Sequence, residues 1–207
     1  FTTDWKKYVP PVPRLIGRRE FHHYDLGVLV PYIDWSPFFQ TWDLAGSYPR
    51  ILDDATTGKV ARNLFDDGRA MLERLVAEKW LTANGVISLL PAASCGDDIE
   101  IYTDASRSKL AMTWHNLRQQ SERPVGQPNL CLADFVAPRD SGVPDFLGAF
   151  AVTAGIGLEQ KVQEFEAGHD DYSAIMVKAL ADRLAEAFAE ALHEHVRREL
   201  WGYSVGE

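Results

Sequence analysis

The sequence predicts an α+β protein, an antiparallel β-sheet flanked by helices with one long C-terminal spine helix. Three observations carry that expectation. The run Asp170–Trp201 contains no Gly or Pro and places Leu180, Leu184, Phe188, Leu192, Val196 and Leu200 at steps of four. Short apolar or alternating segments in the middle of the chain are joined by Gly- and Asp-containing turns, which favours antiparallel neighbours. Helical periodicity brackets those segments on both sides.

The spine opens Asp170-Asp171-Tyr172-Ser173, carboxylates where a helix start favours negative charge, and closes with Arg197-Arg198 and Gly202. It would extend about 45 Å at the α-helical rise. Met176, Val177, Ala181, Ala187 and Ala191 widen its apolar arc. Asp182, Arg183, Glu186, Glu190, His193 and Arg197 fall on the narrow remainder, where solvent exposure is the plain reading.

Earlier elements follow in order. Val9-Pro10-Pro11-Val12-Pro13-Arg14 is an extended arm, read as a strap because Trp5 and Tyr8 favour burial. Phe21–Val30 reads as a short β-region. Pro31–Trp42 is dense in aromatic residues around one carboxylate, Asp34. That carboxylate either caps a helix starting at Trp35–Phe38, with Pro37 early in the helix, or holds a ligand's ammonium group beside an aromatic wall. Gly46–Pro49 is a turn, and Val60–Leu81 an amphipathic helix with Leu64, Met71, Leu72, Leu75 and Val76 inward. Asn84-Gly85 reads as a turn into the strand Val86–Pro91, and Gly96-Asp97-Asp98 as a turn into Ile99–Tyr102. Further strands are expected at Lys109–Trp114, Cys131–Val136 and Phe146–Val152, with a loop from His115 to Pro128 and a turn at Pro138–Gly142. A helix over Gly157–Ala167 leads to the spine.

The 207 residues are expected to form a single domain, 1–207, with a real core. A net charge of −9, from 30 acidic and 21 basic residues, argues against a nucleic-acid binder. No apolar run suffices to span a bilayer, so no membrane partner is expected. Cys95 and Cys131 lack metal or disulfide spacing, and a reducing cytoplasmic setting is expected. His22, His23, His115, His169, His193 and His195 show no ligand spacing, so no metal site is expected. Nucleotide-binding, zinc-hydrolase and serine-hydrolase motifs are absent. No catalytic residue is therefore assigned.

Several blocks carry a family resemblance: Tyr32–Phe39, Ala45–Arg50, Asp97-Asp98-Ile99, Leu117-Arg118-Gln119-Gln120, Cys131–Pro138 and Asp170–Glu186. In order and spacing they resemble the C-terminal activation domain of cobalamin-dependent methionine synthase, nearly end to end. The resemblance implies binding of S-adenosylmethionine and closure over a cobalamin-binding domain, in cis or in trans, when its cofactor has oxidised to cob(II)alamin. A flavodoxin-type partner would supply the electron and S-adenosylmethionine the methyl group. By the same resemblance Asp34 would pair with the ligand's α-ammonium, and Glu186 would be a second carboxylate of that site. A sulfonium already carries an activated methyl, so such a domain needs placement rather than an acid, base or nucleophile.

One feature of the family pattern is not found. Its Arg-x-x-x-Gly-Tyr-x-x-x-Pro-Asp loop follows the spine helix, whereas these residues run only to Trp201–Glu207. The 207 residues are therefore expected to lack the C-terminal part of the family domain and to bind S-adenosylmethionine weakly. The alternative expectation is a truncated, non-catalytic docking domain that contacts the cobalamin domain or a flavodoxin-type partner without the ligand.

Overall fold

The computed structural model describes residues 3–206. They form a mixed α+β fold with a five-stranded sheet of order β1-β2-β3-β4, in which β5 also pairs with β2. The chain divides into two compact units. One comprises Glu20–Val86 and Ala151–Glu194; the other comprises the residues up to Arg19, Ile87–Phe150, and those from His195 onward.

In the first unit the periodicity of the spine translates directly into burial. Helix α5 spans Asp171–His195, and Asp170 caps it by accepting the Ser173 N–H at 3.0 Å. That bond holds the Asp170 carboxyl below its usual range. Leu180, Leu184, Phe188 and Leu192 are buried, as are Met176, Val177, Ala181, Ala187 and Ala191. Arg183 departs from the exposed arc expected for it: the residue is only 7% exposed. Its long stem lies along the apolar surface while the guanidinium reaches the Asp182 carboxylate at 2.6 Å.

Helix α3 (Gly58–Ala77) contributes Leu64, Leu72 and Leu75 to the same core, with Met71 and Val76 partly buried against it. Gly68 is what allows this approach, because a Cβ there would lie 2.7 Å from Phe38 Cζ. The Tyr172 phenol donates to Asp67 at 2.8 Å, and its burial beside that carboxylate pushes its pKa up to about 12.

Two further expectations fail in this unit. Strand β1 is Gly17–Tyr24, and the chain then turns into α1 (Leu26–Leu29) and a 3-10 turn at Val30–Tyr32, so the β-region Phe21–Val30 is half right. Asp25 causes the change by accepting the Gly27 N–H at 2.8 Å and starting a helix. Strand β2 is Thr82–Cys95 and passes straight through Asn84-Gly85, where a turn was expected. Asn84 Oδ1 accepts the His23 N–H at 2.9 Å, and the bare Cα of Gly85 makes room for Phe188, whose Cζ would lie 3.0 Å from a Cβ.

The other unit has its own core, built on Ala92, Ile99, Ile101, Cys131, Ala133 and Val136. Strand β3 (Asp98–Tyr102) pairs antiparallel with β2 through a two-residue turn, Cys95 facing Asp98 and Gly96 at φ +64°. Strand β4 (Leu110–Trp114) pairs antiparallel with β3, and β5 runs Asp145–Ile156. Helix α4, Leu158–Ala167, belongs to the first unit. The segment Cys131–Val136 is not a strand: Leu132–Phe135 is a 3-10 turn. Asp134 turns the chain by accepting the Cys131 N–H at 2.9 Å, and Arg118 clamps that carboxylate at 2.7 and 2.8 Å.

The expected strap is present. Leu15 N–H donates to Leu200 O at 2.9 Å and Trp201 Nε1 donates to Pro11 O at 2.8 Å. Tyr8 nevertheless stays 50% exposed. The long helix ends in a π-turn, Val196–Leu200, and Gly202 at φ +82° leaves it. A Cβ at Gly202 would fall 2.5 Å from Arg14 Nε, so both conformation and space require glycine.

Candidate functional site

The aromatic block around Asp34 divides by direction. Trp35, Phe38 and Phe39 turn into the core, with Trp35 meeting Phe38 edge-on at 5.2 Å and Phe65 at 4.9 Å. Asp34 is exposed instead, so the aromatic wall imagined around it forms the floor behind it. Its Oδ1 accepts the Ser36 N–H at 2.9 Å, at the start of α2 (Ser36–Gln40), with Pro37 in the first turn. The cap position of α2 is Trp35, without a side-chain cap bond, so Asp34 braces the turn one residue ahead of the cap. One carboxylate oxygen is fixed by the helix start, and Ser36 is the only partner of this side chain among the described residues.

Glu186 lies on the outward arc of α5, its side chain 69% exposed, and contacts the Arg183 guanidinium at 3.6 Å. The spine holds this arrangement because Arg183 is one helical turn earlier and itself buried. Among the described residues no hydrogen bond or ion pair joins Asp34 to Glu186. The Asp34 block meets α5 elsewhere: the Tyr32 hydroxyl donates to Glu194 Oε2 at 2.6 Å. Glu194 follows Glu186 by eight residues, about 12 Å along the helix and on a neighbouring part of its surface.

The Tyr32–Glu194 bond and the burial of Arg183 were not legible in the sequence. Tyr32 belonged to the right block, but nothing in a periodicity pattern pairs residues so distant in the chain. Chemically, the arrangement offers one pinned but accessible carboxylate, a second carboxylate with a cationic neighbour, and no acid–base pair. Among the described residues no group of three or more His, Cys, Asp and Glu side chains is arranged to hold a metal ion, and no helix is long and apolar enough to cross a membrane.

Fold and site together define an α+β protein built on one long C-terminal helix, with exposed carboxylates at Asp34 and Glu186. The family model for the vitamin B12 dependent methionine synthase activation domain matches residues 25–207, and the chain belongs to that family. It is also similar to a solved protein described as the MetH reactivation domain bound to AdoHcy, S-adenosylhomocysteine. The identity is 54% and the TM-score 0.96, over 100% of this chain and 63% of that one. The chain thus spans less than two thirds of the length of that relative.

Proposed function

We propose that residues 1–207 form the methyl-donor-binding part of a methionine synthase activation domain and serve the reductive methylation of cob(II)alamin held by another domain. Asp34 receives the α-ammonium of S-adenosylmethionine, and Glu186 is a second carboxylate of the site. The observation that carries this reading is the pinned, outward carboxylate of Asp34: Ser36 fixes its direction at 2.9 Å while leaving the group accessible. A 54% identical relative bound to AdoHcy supports the ligand class. Cobalamin would supply the methyl acceptor, a flavodoxin-type donor the electron, and the setting is cytoplasmic.

These side chains do one job, which is to hold a cation. A charge-assisted contact of this kind contributes about 2 kcal/mol, or roughly 30-fold in affinity. Arg183, the cation that touches Glu186, is already engaged by Asp182 at 2.6 Å, so it is poorly placed to receive the ligand's carboxylate. That observation supports the weak affinity expected for residues 1–207 alone. It also favours the second reading, a docking domain that contacts a cobalamin domain or a flavodoxin-type partner without the ligand.

Calorimetric titration of S-adenosylhomocysteine into the intact protein separates the two. Asp34→Asn weakens binding at least tenfold with an unchanged Tm if the ligand reading holds. Equal affinity of variant and wild type overturns it.

A further inference from the structure

Asp34 sits on a short segment anchored on both sides. Its chain neighbours Ile33 and Trp35 are each 9% exposed and belong to the core of the unit formed by Glu20–Val86 and Ala151–Glu194. On the far side of Trp35, the Ser36 N–H holds the Asp34 carboxylate, and Ser36 Oγ accepts the Tyr48 N–H at 3.2 Å. On the near side stands Tyr32, the last residue of the 3-10 turn, its ring packed against the same core. The Tyr32 hydroxyl donates to Glu194 Oε2 at 2.6 Å, the length of a charge-assisted O–H···O contact, in a partly buried setting.

These anchors do different work. Apolar packing of Ile33 and Trp35 is non-directional and sets how deep the segment lies. The phenol–carboxylate bond is directional and selects one residue of α5 as its partner. Only Ile33 separates Tyr32 from Asp34, so the two backbone positions lie at most about 7 Å apart. Glu194 and Glu186 ride on the same helix. A bond that registers Tyr32 against α5 therefore registers Asp34 against Glu186 as well.

We infer that Tyr32 is a positioning residue for the methyl-donor site, with Glu194 as its anchor on α5. It acts through Asp34, by holding that carboxylate at a fixed place along the helix, and not by touching the ligand. This assignment rests on the reading of Asp34 as the acceptor of the ligand's α-ammonium. Small displacements of a placement group are costly where placement is the whole contribution of the protein.

The test is calorimetric titration of S-adenosylhomocysteine into the intact protein carrying Tyr32→Phe, alone and combined with Asp34→Asn. Tyr32→Phe keeps the ring and removes the donor. Alone it weakens binding about fivefold, the scale of coupling carried by a residue without ligand contact. In the Asp34→Asn background the same change adds less than about a twofold loss, because both substitutions act on one carboxylate. Glu194→Gln, whose amide oxygen still accepts the phenol, stays within about twofold of wild type, whereas Glu194→Ala matches Tyr32→Phe. A bond that serves only the fold would lower Tm without this dependence on Asp34. Wild-type affinity in a folded Tyr32→Phe protein overturns the assignment and leaves the Asp34 reading standing. A full fivefold loss repeated in the Asp34→Asn background does the same. Wild-type affinity of Asp34→Asn itself overturns both.

Discussion

Asp134 and Asp34 each accept a backbone N–H beside a short helical segment, at 2.9 Å in both cases. The resemblance stops there. Asp134 also receives two hydrogen bonds from Arg118, whose remaining donors go to Asp97 and to the carbonyl of Asn129. The Arg118 guanidinium, helped by the Cys131 N–H, pulls the Asp134 pKa down to about 2. Asp34 has only its helix start, and it faces solvent. A carboxylate saturated by protein donors is part of the scaffold, whereas one held in direction but left open is available to a ligand. The two environments make the distinction measurable.

Removing the clamp is the largest perturbation. Arg118→Ala leaves Asp97 and Asp134 without their shared cation and costs Tm about 5 °C or more in thermal denaturation. An unchanged Tm would mean that the clamp is ornamental and would blur the contrast with Asp34. A smaller effect appears in acid. The folded pKa of Asp134 lies below its ordinary 3.8, so its contribution to stability is complete above pH 3.8 and is lost as pH falls towards 2. Asp134→Asn therefore lowers neutral-pH stability by about 1–2 kcal/mol and flattens the acid limb of the stability curve, as read by urea denaturation. Asp145 behaves oppositely. Burial raises its pKa, so protonation of this group favours the folded chain as pH falls through that raised value.

On the open side, Asp34→Asn moves stability by less than about 0.5 kcal/mol, because an amide oxygen still accepts the Ser36 N–H. Glu186→Gln is milder again. Its exposed contact with Arg183 contributes at most a few tenths of a kcal/mol to stability, and ligand affinity in the intact protein falls about threefold. Denaturation and calorimetry on the same samples check both.

Much of this fold was legible because helical periodicity is a local signal that tertiary packing then obeys. Leu180, Leu184, Phe188, Leu192, Val196 and Leu200 are all buried, and Gly202 closes the run as its conformational freedom predicts. The misreadings lie where a side chain from elsewhere decides. Asn84-Gly85 carries the strongest short-range turn signal, yet Phe188 occupies the space over Gly85 and His23 takes the Asn84 side chain. The apolar segment Cys131–Val136 looked like a strand until Asp134 found Arg118. The charge of Arg183 predicts a wet arc, but its long apolar stem lets the residue be buried. Asp34 could be singled out from its block, but only the structure separates its outward carboxylate from the inward rings of Trp35 and Phe38.

The most direct test of the account is a crystal structure of the intact protein with S-adenosylhomocysteine. The account predicts the ligand's α-ammonium within about 3 Å of the Asp34 carboxylate, with the Ser36 contact retained. A ligand seated away from Asp34, with that side chain still facing only water, would contradict it.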